Sequence, residues 1–104
     1  MAFNLDNRLT QTIQQIGQNY AIEQIVLFGS RARGDNKLIS DIDLAVFPMP
    51  EFDKRGSLTS DLDDIETLLK LDIVFIDEQT DPGFRDNVVR EGVILYERCE
   101  HKTQ

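Results

Sequence analysis

Residues 27–46, LFGSRARGDNKLISDIDLAV, decide how this chain folds. An apolar run, QIVLFGS, ends in Gly29-Ser30 and is too short for a helix, while its strand formers predict a buried strand. The polar stretch RARGDNKLIS, with Gly34, Asp35 and Asn36, predicts about one helical turn and then a loop. In DIDLAVF the residues alternate: Asp41, Asp43, Ala45 and Phe47 point one way, and Ile42, Leu44 and Val46 the other, until Pro48 and Pro50 end the strand. Two acids one residue apart in so apolar a strand need a reason. A carboxylate loses several kcal/mol of hydration on burial unless a cation or metal ion compensates.

Outward from this stretch the chain alternates helices and strands. Upstream, Leu5, Leu9, Ile13, Ile16 and Tyr20 form the stripe of an amphipathic first helix. Downstream, Leu58, Leu62, Ile65 and Leu68/Leu69 recur at helical spacing. Asp61, Asp63 and Asp64 are expected in the first turns of that helix, as a solvated cap favoured by the helix dipole. LDIVFID predicts a third strand with Asp72 near its start. DPGFRDNVVREG predicts a short helix with Asp and Pro at its start, Gly at its end, and an apolar face of Phe84, Val88 and Val89. VILYE predicts a fourth, edge strand, and residues 98–104 a frayed tail holding a solvated His101. The order predicts an α/β fold, a small sheet flanked by helices. The short DNKLIS loop allows the first two strands to pair antiparallel and make the sheet mixed.

Composition narrows the function. With 104 residues, 40% hydrophobic and 29% charged, the chain is expected to form one globular domain, 1–104. It contains no apolar run long enough to span a bilayer, and its start lacks the pattern of a secretory signal, so a cytoplasmic protein is expected. One cysteine, Cys99, and one histidine are too few for a zinc site, so any metal must be held by oxygen. The net charge of -8 argues against direct binding of nucleic acid and favours a basic partner.

The acids are suited to a hard divalent cation. Residues two apart on a strand lie about 6.6–6.8 Å apart on one face, so Asp41 and Asp43 can converge, and Asp72 can join them from a neighbouring strand. At about 5 Å and an effective dielectric near 20, each such pair repels by roughly 3 kcal/mol. Magnesium takes such ligands and fills its remaining positions with water and substrate phosphates. Gly29 and Ser30, at a strand end leading into a helical turn, offer backbone N–H groups and a hydroxyl to an anion. Arg31 and Arg33 follow, each able to neutralise phosphate or to pair with a nearby acid.

Together, Gly29-Ser30, ten intervening residues, Asp41-x-Asp43 and an acid on a later strand resemble the signature of the DNA polymerase beta nucleotidyltransferase superfamily. The chain is most similar to its minimal nucleotidyltransferase (MNT) family, the MntA-like antitoxins of HEPN/MNT toxin–antitoxin pairs, and the resemblance runs through REGVILYE. It implies a polymerase beta-like fold, with magnesium (two ions) on Asp41 and Asp43 and with Asp72 as the third catalytic acid. Asp77 is a rival for that third place, but in a regular strand it would face the other side. Gly29 and Ser30 would hold the triphosphate of an NTP. The implied reaction is transfer of AMP from ATP to a tyrosine of a cognate HEPN ribonuclease toxin, silencing it within a hetero-oligomer. The alternatives are an antitoxin that acts by occlusion alone, and an enzyme that modifies a small hydroxylated molecule such as an aminoglycoside.

Overall fold

A computed structural model describes residues 7–29, 32, 41–65 and 70–98. The elements are α1 (Asn7–Gln18), β1 (Ile22–Phe28), β2 (Ile42–Pro48), α2 (Arg55–Asp63), β3 (Leu71–Phe75), α3 (Pro82–Glu91) and β4 (Val93–Glu97). The four strands form one mixed sheet in the order β3-β2-β1-β4. β1 lies antiparallel to both β2 and β4, while β2 and β3 run parallel. A parallel pair cannot be closed by a tight turn, so the chain between β2 and β3 includes α2.

The alternation in DIDLAVF sorts the two faces as its pattern predicts. Ile42, Leu44 and Val46 join Ile25, Leu27, Leu71 and Leu95 beneath Leu9 and Ile13 of α1 and Leu58 and Leu62 of α2. Ala45 lies on the other face with Val26 and Ile76, covered by Val88 of α3, and Phe28, Phe47, Val74 and Phe84 pack around them. Phe28 meets Phe84 edge to face at 5.6 Å between ring centroids. Burial on both faces gives β2 its long apolar core and leaves its first residues as the place where charge can sit.

The third helix starts as its sequence predicts: the Asp81 carboxylate accepts the Phe84 N–H at 3.0 Å, and Pro82 occupies the first turn. Gly92 ends it in extended backbone at φ -77°, ψ 163°, so a left-handed cap is not the reason for glycine there. The reason is close approach, because a Cβ at Gly92 would lie 2.3 Å from Val26 Cγ1.

Three expectations are corrected. Asp61, Asp63 and Asp64 do not open α2. The helix begins at Arg55, so they lie in its last turn and C-cap, where the dipole does not favour acids. Asp61 instead accepts a 2.5 Å hydrogen bond from the Tyr20 hydroxyl just beyond α1, and that bond raises the phenol's pKa. Val89 is not on the buried face of α3. It is 64% exposed, because one residue of helix turns it about 100° away from Val88. Arg98 is not frayed: its N–H donates to the Glu23 carbonyl at 2.8 Å and prolongs the β1–β4 pairing. Leu5, Leu68, Leu69, Cys99 and His101 lie outside the described residues. Among the described residues, no helix is long and apolar enough to cross a membrane.

Candidate functional site

The site forms where β1 ends and β2 and β3 begin. Phe28, the last residue of β1, pairs with Asp43, and Gly29 then turns the chain with φ 81°. That angle strains any residue bearing a Cβ. Space makes the same demand, since a Cβ on Gly29 would stand 2.4 Å from Asp43 Oδ2. The Ala32 N–H donates to the Gly29 carbonyl at 3.1 Å, closing the turn, and the Ala32 methyl is buried in the core. The chain therefore leaves β1 directly against a carboxylate of β2.

On the other side of β2, the parallel register puts Asp43 opposite Asp72. Both precede apolar partners on the α3 face, Ala45 and Val74, so strand alternation turns both carboxylates to that face. Asp41 lies just before β2 and is exposed. The Ile42 N–H donates to the Lys70 carbonyl at 2.8 Å, so the ladder continues past the start of β3.

The electrostatics follow from this crowding. The Asp43 carboxyl is held above its ordinary pKa, first by burial and then by the charges of Asp72 and Asp41. The Lys70 ammonium pairs with Asp72 at 3.6 Å, with the two side chains 72% and 41% exposed. The described acids are not drawn together into a ready-made metal cage. Burial of its carboxylate and, after it, the like charges of Asp72 and Asp41 both disfavour the ionised form of Asp43. Hard oxygen donors, mutual repulsion and a glycine that keeps the space beside Asp43 open all fit a divalent cation.

Of the residues singled out by sequence, Gly29, Asp43 and Asp72 come together here, with Asp41 near enough to act on Asp43. Ser30, Arg31 and Arg33 lie outside the described residues. Asp77 lies just past the opposite end of β3, paired with Arg55 at 3.1 Å and accepting the Gln79 N–H at 2.9 Å. The Arg55 guanidinium, then the Gln79 N–H, hold its carboxyl below the ordinary range. It closes a loop at the far end of the sheet from the acid cluster. A cleft of about 510 Å³ opens there as well, lined by Phe47, Phe52, Arg55, Asp77 and Arg85, and it contains none of the clustered aspartates. Lys70 escaped the sequence reading, although its signal was present: it stands two residues before Asp72, the spacing that shares a strand face.

Comparison with known proteins agrees with this geometry. The profile described as polymerase beta, nucleotidyltransferase, matches residues 11–101. A protein of Methanocaldococcus jannaschii that carries the name of a protein adenylyltransferase is 35% identical over 63 residues, 59% of this chain and 72% of the relative. Among solved structures, a toxin–antitoxin complex with AMP-PNP aligns at a TM-score of 0.68 and 25% identity, covering 86% of this chain and 73% of that one. A Sulfolobus solfataricus protein described as a nucleotidyltransferase aligns at 0.59 and 27% identity, covering 88% and 79% of the two chains. The mixed sheet, the paired acids at its edge and the family match over most of the sequence agree: the chain is a nucleotidyltransferase of the polymerase beta family, consistent with its minimal branch.

Proposed function

We propose that this chain is a single minimal nucleotidyltransferase domain that transfers AMP from ATP to a tyrosine hydroxyl of a cognate HEPN ribonuclease toxin in the cytoplasm, silencing it. The observation that carries the reading is the meeting of Asp43 and Asp72 across a parallel strand pair, directly against the turn at Gly29. The names carried by the relatives, a protein adenylyltransferase and a toxin–antitoxin complex with AMP-PNP, support the choice of nucleotide, acceptor class and partner. The net charge of -8 suits docking onto a basic RNA-binding surface rather than onto nucleic acid itself.

In this reading Asp41, Asp43 and Asp72 would hold magnesium, two ions in all. When bound, magnesium screens phosphate charge and makes the acceptor hydroxyl more acidic. The rest is the work of the chain. Gly29 lets the triphosphate approach the backbone, Ser30 donates to it, and Arg31 and Arg33 offset its charge. Asp72 sits on the acceptor side and orients the attacking hydroxyl. The hydroxyl oxygen bonds to the α-phosphorus, the bridging bond to the β-phosphate breaks, pyrophosphate leaves, and the hydroxyl proton is lost to water.

The test is the intact mass of the neighbour-encoded partner after incubation with this protein, magnesium and each NTP. One or more added AMP groups are expected, absent with the Asp41→Asn, Asp43→Asn double variant. A stable complex that gains no mass with any nucleotide would replace this reading with neutralisation by occlusion.

A further inference from the structure

Lys70 sets an ammonium beside Asp72, one of the acids read as metal ligands. Its carbonyl accepts the Ile42 N–H at 2.8 Å, which anchors the backbone at the mouth of the site. The pairs Ile42 with Leu71 and Asp43 with Asp72, followed one step back, set Asp41 opposite Lys70. The cluster is thus two short rows, Asp41 and Asp43 along one and Lys70 and Asp72 along the next, three carboxylates and one ammonium. That ammonium is 3.6 Å from Asp72 Oδ1.

We infer that Lys70 is a positioning residue whose ammonium stands in for a divalent cation beside Asp72, holding that carboxylate opposite Asp43 and giving it up when metal loads. This rests on the reading of the three aspartates as the metal site. The pairing is well suited to exchange. A lysine on a flexible stem, 72% exposed, makes an ion pair weak enough for a divalent ion to displace. Its positive charge meanwhile offsets repulsion that would otherwise push the starts of β2 and β3 apart. Loading at Asp72 is then an exchange of ammonium for metal. The lysine sets how much metal the site requires and slightly steadies the metal-free protein.

The experiment uses the full chain with Lys70→Gln and Lys70→Arg, and Lys54→Gln as a control for net charge at the exposed N-cap residue of α2. Mn2+ alone is titrated, free ion is followed by electron paramagnetic resonance, and thermal midpoints are recorded with and without it. Lys70→Gln is expected to bind Mn2+ about two- to fivefold more tightly than wild type, the gain from removing a weak competing ion pair. It should melt lower than wild type without metal, with the gap closing once Mn2+ saturates. Lys70→Arg should restore wild-type behaviour in both readouts, and Lys54→Gln should leave Mn2+ affinity unchanged. Equal gains from Lys54→Gln and Lys70→Gln would reduce the effect to net charge and overturn the inference. So would Lys70→Gln with unchanged Mn2+ affinity. A wild-type protein that binds no Mn2+, or binds it equally well as the Asp41→Asn, Asp43→Asn double variant, would sink the metal-site reading itself.

Discussion

Gly29→Ala tests the contact that joins the turn to the acid pair. The substitution adds one methyl group in a backbone conformation, φ 81°, that costs a residue with a Cβ about 1–2 kcal/mol. The same methyl would stand 2.4 Å from Asp43 Oδ2 and 3.3 Å from its Cγ. Restoring an ordinary contact moves the carboxylate by about 1 Å and off its preferred rotamer, a further cost of about 0.5–1.5 kcal/mol. The sum is about 1.5–3.5 kcal/mol, or a drop of about 7–16 °C in Tm for a domain of this size. The assay is thermal unfolding by circular dichroism of Gly29→Ala, Asp43→Ala and the double variant. With Asp43 truncated, the clashing oxygen and carboxyl carbon are gone and its Cβ, at 3.5 Å, is an ordinary neighbour. Gly29→Ala should then cost only its backbone strain, leaving a coupling of about 0.5–1.5 kcal/mol between the two positions. An alanine equally costly in both backgrounds would mean that turn and carboxylate do not touch. A Tm unchanged in either background would refute the positive φ as well.

Two further predictions follow from the acids. Asp43→Asn should abolish nucleotide transfer yet raise the Tm of the metal-free protein at pH 7 by a few degrees, about 0.5–1 kcal/mol for relief of a partly buried charge and its repulsion by Asp72 and Asp41. Because the folded pKa of Asp43 lies above its unfolded value, the stability linked to its protonation is present below about pH 3.9 and lost as pH rises through the folded pKa. The advantage of the variant should therefore shrink as pH is lowered toward 4; an advantage that grew would reverse the assigned sign. Asp72→Ala should reduce transfer by at least tenfold more than Asp77→Ala, and the opposite ranking would move the third acid to the far end of the sheet. Asp77→Ala should instead lower Tm at neutral pH. The folded pKa of Asp77 is depressed, so its contribution is present above the unfolded value and disappears as pH falls through the folded one. Melting curves across pH 2–7 check this, and a gap that persists at the acid end would contradict it.

Much of this could be read from residue order alone, and the parts that could not share a cause. Periodicity is a local property. The stripe Leu9, Ile13, Ile16, the alternation Ile42, Leu44, Val46 and the Asp81-Pro82 start of α3 each specify an element and its buried face within a few residues. The spacing of Gly29-Ser30, Asp41-x-Asp43 and Asp72 was likewise sufficient to indicate a nucleotidyltransferase of the polymerase beta family, because residue types and strand alternation carry the pattern. Local pattern misled where the boundary of an element mattered: α2 starts at Arg55, so the acids expected to cap its first turn fall at its end, and Val89, next to a buried valine, faces outward.

Contacts between distant segments were decided only by the tertiary structure. The register of β2 on β3 turns Asp43 and Asp72 from two separate acids into a repelling pair. The antiparallel pairing of β1 and β2 places the Gly29 turn against Asp43, while Asp77, five residues from Asp72, is tied to Arg55 at the other end of the strand. A residue's face is set by its neighbours in sequence, but what it meets there is set by strand pairing across the sheet, which no local period encodes.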